Sequence, residues 1–447
     1  MKKLLIISLL AILGWAVASA QTPSYGSGGA VWTLDDCIAW ALDNNISVKT
    51  SALSVEQQEV SLNTAKNSML PGVSFSTSQN FSFGRGLMDD NTYANTNTTS
   101  TSFSLGANMP LFQGFKIKNN ITLSELNLSS AVEDLEKIKN SVRTSVAAAY
   151  VQVLYNREIL EVAERQVSID SIQVARLEAM ALNGKASSAE VASQKATLER
   201  SRLTAVEASN NLSLATLELT QLLELPSPEG FTVATPDASS LEIKVLESPD
   251  AIYETALGIK PEIRSEQLKL DAAETSIKLA KGDYYPTLSL SGGLGSNYYT
   301  NSLSASQAFF DQLSTNFSQY IGLSLNIPIF QKFSTRNNVR AAKISFDTQN
   351  YQLEQAKKTL YKEIQQAYYN AVAAGSSYAS SVEAARSAGE AFTLMQAKYE
   401  NGKANITDFN ASKAQYLEAE SNLSQARWKY IYQSKLLEFY KGEKLSF

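Results

Sequence analysis

Residues 110–115 read PLFQGF and residues 328–333 read PIFQKF, an offset of 218 residues. An echo of six residues carries weight only if its flanks repeat as well. Ala149-Tyr150 recurs as Ala367-Tyr368, and Asn183-Gly184-Lys185-Ala186 recurs as Asn401-Gly402-Lys403-Ala404, at that same offset. Upstream, Ala65-Lys66 before Pro71 recurs as Ala280-Lys281 before Pro286, and Ala41-Leu42 as Ala256-Leu257, now at 215. Markers in one order at nearly one offset predict an internal two-fold duplication. The first repeat covers 21–225, a linker opening at Leu225-Pro226-Ser227-Pro228 covers 226–248, and the second repeat covers 249–447.

The chain opens with Lys2 and Lys3, an apolar run, and Ala18-Ser19-Ala20. This pattern predicts a signal peptide over 1–20, cleaved before Gln21. The run is short for a retained membrane helix, and no Cys follows the cleavage point to carry a lipid anchor. Removing the two lysines takes the formal charge from −5 to −7, which argues against nucleic acid as a partner. The single cysteine, Cys37, has no partner for an internal disulfide and is expected to pack on a short helix over about 34–42. The chain has no histidine, so His-based triads and imidazole metal sites are excluded. No cofactor is called for.

Two periodicities alternate along each repeat. Period two marks strands at about 72–84, 101–112, 287–298 and 317–330. Val73, Phe75, Phe81 and Phe83 oppose Ser74, Ser76, Ser78, Asn80 and Ser82, and Ile321, Leu323 and Leu325 oppose Gly322, Ser324 and Asn326. Each strand has the length a tilted strand needs to cross a bilayer. The half-buried sheet of a soluble sandwich shares the alternation, but four strands in matched pairs behind a signal peptide favour membrane strands. The Asn- and Ser-rich segments at about 85–100 and 299–315 read as solvated loops. Phe81, Phe83, Tyr298 and Tyr299 are candidates for an interfacial girdle.

Period 3.5 marks long helices at about 117–182, 187–224, 335–400 and 404–440. Leu353, Leu360, Ala367, Ala371 and Ala374 form an alanine-rich seam that admits close helix packing. Glycine ends the longer helix of each repeat at Asn183-Gly184 and Asn401-Gly402. Four strands cannot close a membrane barrel, and open sheet edges are not tolerated in lipid. Membrane strands therefore require several chains to share one barrel, and the serine-rich faces point to a wet lumen. Pro71, Pro110, Pro286 and Pro328 are expected where strand pairing stops.

From about residue 32 to 439 the chain resembles the TolC-like outer-membrane efflux proteins. The resemblance rests on the duplication, on the repeated Pro-Leu/Ile-Phe-Gln-x-Phe, and on Tyr399-Glu400-Asn401-Gly402-Lys403-Ala404-Asn405-Ile406-Thr407-Asp408, which matches the family's Tyr-x-x-Gly-x-x-x-x-x-Asp turn. It implies a mixed α and β membrane protein, a homotrimer whose twelve-stranded barrel takes four strands per chain. A long α-helical barrel continues it into the periplasm. It implies an exit duct for tripartite efflux or type I secretion, located in outer-membrane lipid. The partners would be a periplasmic adaptor of the membrane fusion protein class and an inner-membrane pump.

A conduit needs a gate and a docking surface rather than catalytic groups. Tyr399 and Asp408 match the second-repeat turn, and Glu190 stands where the first repeat's acid is expected. The family's arginine two residues beyond the glycine is replaced by Ala404, leaving Lys403 next door as the substitute. On this reading Asp408→Ala or Tyr399→Phe raises conductance. The plain alternative is that Glu190 and Asp408 serve the first turns of their helices. Gly184, Lys185, Ala186, Gly402, Lys403 and Ala404 are the candidate adaptor-docking tips, with ordinary helix-turn-helix punctuation as the other reading. A trimeric coiled-coil fibre or adhesin is the competing function, which two barrel segments and two stalks per chain disfavour. An outer-membrane enzyme would need a catalytic cluster that the sequence does not contain.

Overall fold

The computed structural model describes residues 31–87, 91–236, 246–303 and 306–446. The signal segment 1–20 lies outside the described residues, as does 237–245 of the linker. The elements run β1 (Val31–Trp32), α1 (Leu34–Asn44), α2 (Ile46–Asn67), β2 (Gly72–Leu87), β3 (Tyr93–Gln113), α3 (Lys116–Leu182) and α4 (Ser188–Leu222). After β4 (Thr232–Val233) come α5 (Pro249–Ile259), α6 (Pro261–Lys281), β5 (Thr287–Asn301), α7 (Phe309–Thr315), β6 (Ser318–Asn326), α8 (Ser334–Glu400) and α9 (Ile406–Tyr440). The long helices α3 and α8 have 67 residues each, and α4 and α9 have 35 each.

The repeated phrase is the hinge between sheet and helix. Its last residue, Phe115 or Phe333, sits in the left-handed region at φ 61° or 62° and starts the 67-residue helix. The residue before it is left-handed too, Gly114 at φ 59° and Lys332 at φ 51°. Two successive left-handed residues turn the chain sharply, a conformation bulky residues adopt only under tertiary constraint. The phrase supplies that constraint through its own aromatics. Phe112 meets Phe115 edge-on with ring centres 5.2 Å apart, and Phe330 meets Phe333 the same way at 5.5 Å.

The short helix expected at about 34–42 corresponds to α1, and a second helix, α2, follows it because Asn45 leaves the helical region and its side chain accepts from the Ser47 amide to cap α2. Pro261 makes the equivalent break between α5 and α6. At 67 residues α3 extends roughly 100 Å, and α4 returns about half that distance before the chain turns across at β4. The core therefore sits at mid-length. Trp32, Cys37, Tyr150, Leu154, Leu219 and Trp428 form one buried cluster, and Ile252, Leu353, Leu360, Ile364 and Ala371 form a second. The Tyr150 hydroxyl donates to the Ala234 carbonyl at 2.6 Å, tying α3 to the end of β4.

The sheet order is β2-β3-β5-β6, antiparallel throughout. Its register sorts the two faces. Val73, Ala107, Gly292 and Ile321 form one row, and Phe75, Leu105, Leu294 and Gln319 the next. On the opposite face Ser76, Ser104, Gly295 and Ser318 are in line, with Ser78, Ser102 and Asn297 beside them. Phe75 and Ile321 are 66% and 81% exposed, so this chain alone covers neither its apolar face nor the edges β2 and β6.

Four loop or strand expectations are corrected. The segment about 85–100 is mostly strand, since β2 continues to Leu87 and β3 begins at Tyr93 with every residue of 93–97 paired. Its polarity misleads because Thr is β-branched and suits strands whichever way it faces. The segment about 299–315 holds the end of β5 and the helix α7. There Gln312 replaces a strand: its amide accepts from the Tyr299 N–H and donates to the Tyr299 carbonyl, both at 2.9 Å. The strand expected over 317–330 stops at Asn326, opposite Thr287, because β5 has no residue left to pair and Pro328 has no N–H to give. Pro110 does not end pairing: β3 shifts register between Pro110 and Phe112 and continues to Gln113.

Candidate gate and docking turns

At the end of the helical part the two turns share one construction. Gly184 and Gly402 adopt φ 71° and 69°. In the first, the Lys185 and Gly184 amides donate to the Met180 and Ala181 carbonyls at 2.9 and 3.0 Å. In the second, the Lys403 and Gly402 amides donate to Lys398 and Tyr399 at 2.8 and 3.0 Å. This is a Schellman closure, which an L side chain at the glycine would strain. Asn183 and Asn401 each return a side-chain hydrogen bond to the carbonyl four residues back. Gly184, Lys185, Gly402 and Lys403 are exposed, and Ala186 and Ala404 are half-buried.

The acids that follow are built into helix starts. Ser187 caps α4, and the Glu190 carboxylate accepts from the Ser187 amide at 2.7 Å and the Ser187 hydroxyl at 2.9 Å. These bonds, the amide first, hold the Glu190 carboxyl below the usual carboxylate range. Asn405 caps α9 by accepting from the Asp408 amide at 2.8 Å. Tyr399 is held by its ring. It stacks on Phe409 with centres 4.9 Å apart, and the Arg176 guanidinium lies over the ring at 5.3 Å from its centre. Burial pushes the Tyr399 phenol up, with the Glu190 carboxylate adding to the rise and Arg176 opposing it.

Arg176 also donates to the Glu400 carbonyl at 2.9 Å. A guanidinium thus bridges α3 to the last turn of α8, although the chain has Ala404 where the family's arginine was expected. The reading of the sequence missed it because Arg176 lies 8 residues before Gly184, in the other hairpin.

Above the tips lies a second network that the sequence did not reveal. Asp170 on α3 and Lys413 on α9 form an ion pair with side chains 0% and 3% exposed. Gln194 and Ser201 of α4 complete it, donating to the two Asp170 oxygens at 3.1 and 2.6 Å. Further along, Arg165 pairs with Glu420 and Glu158 with Arg427, both at 3.3 Å. On α9 the three members are spaced by seven, Lys413, Glu420 and Arg427, and the signs alternate on both helices. Such a ladder is satisfied in one antiparallel register only.

The profile of a family described as Outer membrane efflux protein matches residues 38–224 and 252–443. The outer membrane efflux protein BepC of Brucella suis biovar 1 is 27% identical over 335 residues, covering 73% of this chain and 67% of the relative. The outer membrane protein TolC of Escherichia coli K12 is 23% identical over 393 residues, covering 87% and 78%. Among solved structures, VceC of Vibrio cholerae superposes with a TM-score of 0.74 at 17% identity over 92% of this chain and 96% of its own. The CmeC outer membrane channel of Campylobacter jejuni superposes with a TM-score of 0.75 at 19% identity over 93% and 87%. With the profile spanning both helical hairpins and both strand pairs, the chain belongs to the outer membrane efflux protein family.

Proposed function

We propose that the protein is an outer-membrane exit duct that passively conducts cargo outward, and that three chains assemble to make it. The observation that carries this reading is the sheet: four strands, one face aliphatic and exposed, the other hydroxyl-rich, and both edges open. In lipid such edges must pair, and three copies close a barrel of about twelve strands, wide enough to hold water. Among the described residues no helix is long and apolar enough to cross a membrane, so the sheet is the part that suits the bilayer. The equal lengths of α3 and α8, and of α4 and α9, support descent from a duplicated unit and a continuous helical tube.

In this reading the tip turns at Gly184-Lys185-Ala186 and Gly402-Lys403-Ala404 meet a periplasmic adaptor, which links the duct to an inner-membrane pump. Tyr399, Arg176 and the first-turn acids Glu190 and Asp408 form the gate region, with Lys403 at its rim. The test is the native mass of the mature protein from outer membranes, corrected for bound detergent, together with conductance in planar bilayers. Three chains per particle and discrete conductance steps are expected. A monomer, or a trimer without conductance, sinks the proposal.

A further inference from the structure

The two open edges of the sheet are unequal: β2 offers 16 residues and β6 only 9. The pairing of β5 with β6 stops at Gly295, opposite Ser318, and β5 runs on to Asn301 with no strand beside it. The helix α7 takes that place. The Asn316 side chain donates to the Asn297 carbonyl at 2.8 Å, and the Gln312 amide takes both backbone groups of Tyr299. The edge of β5 is therefore satisfied within its own chain at these two residues, and a neighbouring copy meets a helix there. That helix leans to the apolar face, since the Phe309 ring centre lies 5.0 Å from that of Tyr298 and 6.3 Å from that of Phe103. Phe310 beside it is 80% exposed.

We propose that α7 clasps a second copy of this chain, packing on the outer end of that copy's β2 and closing the seam between chains where β6 is missing. This rests on the shared barrel proposed above. β2 begins at Gly72, in the row Gly72–Asn108–Ser291–Gly322, whereas β6 runs four residues further in, from Gly322 to Asn326. Barrel closure staggers the register by a fixed shear. Pairing all of β6 with the second copy's β2 needs a stagger of at least those four residues, which moves Ser318 from the level of Ser76 to that of Asn80 or beyond. The helix α7 precedes Ser318, so it comes level with Phe81–Arg85 of the second copy.

The two surfaces are complementary. Phe81 and Phe83 share the apolar face with Phe75 by strand alternation and are 60% and 78% exposed, as is the matching Phe310 of α7. Arg85, on the same face, is the one charged side chain among the described residues of the four strands, and Asp311 is the one in α7. Asp311 is exposed and has no ion pair within its own chain among the described residues. Setting Asp311 against Arg85 also favours β6 beside β2 over two like edges, where like charges would meet.

The test uses the full chain assembled in outer membranes, with Asp311→Cys and Arg85→Cys carried on separate, co-expressed chains and treated with a short bis-maleimide. Cys37 is buried and does not compete. A covalent dimer is expected from the mixture, and a covalent trimer when both substitutions share one chain. Phe310→Cys with Phe83→Cys is the second pair if the first does not assemble. Asp311→Cys with Val73→Cys, at the inner end of β2, should give several-fold less dimer. The native mass of the same preparation separates the two readings. Three chains per particle with the clasp pair unlinked, or with Val73 linked in place of Arg85, overturns the clasp and leaves the shared barrel. Chains that stay single and unlinked remove the barrel and the clasp together.

Discussion

Asp170 and Lys413, 243 residues apart in the chain, form an ion pair buried between α3 and α9, with the two Asp170 oxygens also taken by Gln194 and Ser201. A buried pair of this kind contributes little net stability against an apolar pair of the same volume, because desolvation opposes the Coulomb gain. Its contribution is selective. A slip of α9 by one turn along α3 would leave Asp170 buried and unpaired and bring the alternating signs of Arg165–Glu420 and Glu158–Arg427 out of step.

Breaking the pair from one side should cost far more than replacing it. Asp170→Leu or Lys413→Met alone strands a buried charge and should destabilise by about 3–5 kcal/mol. The double variant should recover most of that loss. Thermal unfolding of the solubilised assembly checks this, and a double-variant loss equal to the sum of the two single losses would show that the pair is not coupled.

Arg176 holds the tip through a ring face and a carbonyl, so the chemistry lost depends on the substitution. Tyr399→Phe keeps the stack on Phe409 and the surface under Arg176, and should leave closure near wild type, in place of the rise in conductance that the turn motif alone led us to expect. Tyr399→Ala and Arg176→Ala each remove a cation–π contact, and Arg176→Ala also removes a charge-assisted hydrogen bond, together about 1–2 kcal/mol. Open-state dwell in single-channel records should rise about tenfold in Arg176→Ala. An unchanged record in both alanine variants would exclude this latch.

The two copies of the hinge should respond oppositely to glycine chemistry. A Cβ at Gly114 would lie 2.4 Å from the Gly282 carbonyl oxygen at φ 59°, so Gly114→Ala should lose more than the ~1–3 kcal/mol of backbone strain alone. Lys332 pays the left-handed cost already, at φ 51° on an exposed surface. Lys332→Gly should therefore leave stability unchanged or raise it by up to about 1 kcal/mol. Denaturation midpoints of the two variants decide the matter.

The start of α4 should be acid-sensitive. Since the folded state lowers the Glu190 pKa, its capping contribution is present above the ordinary carboxylate range and is lost as pH falls through the depressed value. Hydrogen-exchange protection of the first-turn amides of α4 should fall over that acid range in wild type. Glu190→Gln should flatten the dependence, and a matching fall in Glu190→Gln would assign it to another group.

Cys37 should be chemically silent. It is fully buried, and burial followed by the Asp36 charge pushes its thiol up to about 12, so little thiolate forms near neutrality. Maleimide at pH 8 should label the native protein only after unfolding. Rapid labelling of the folded chain would mean that the cluster around α1 opens readily.

The fold was legible where the physics is local. Hydroxyl–aliphatic alternation announces a two-faced strand, Asn-Gly announces a left-handed helix end, and a phrase written twice announces a hinge made twice. Local rules also reached Glu190 and Asp408, since an acid three residues past a cap suits a helix start whatever else it does. Tyr399 was found through its place in the turn motif, but not the Phe409 ring and the Arg176 guanidinium that hold it. The loops at 85–100 and 299–315 were misread because polarity was taken for lack of pairing, whereas β3 and Gln312 satisfy their backbone from across the sheet.

By itself, then, the sequence determined the period of every long helix, the glycines that end α3 and α8 and the two-faced alternation of the strands, because each follows from spacing over a few turns. Only the tertiary structure decided that Asp170 meets Lys413 and that Arg176 reaches the turn after Tyr399. Those contacts depend on the stagger of helices joined through more than two hundred residues. No residue's neighbours in the chain carry that information.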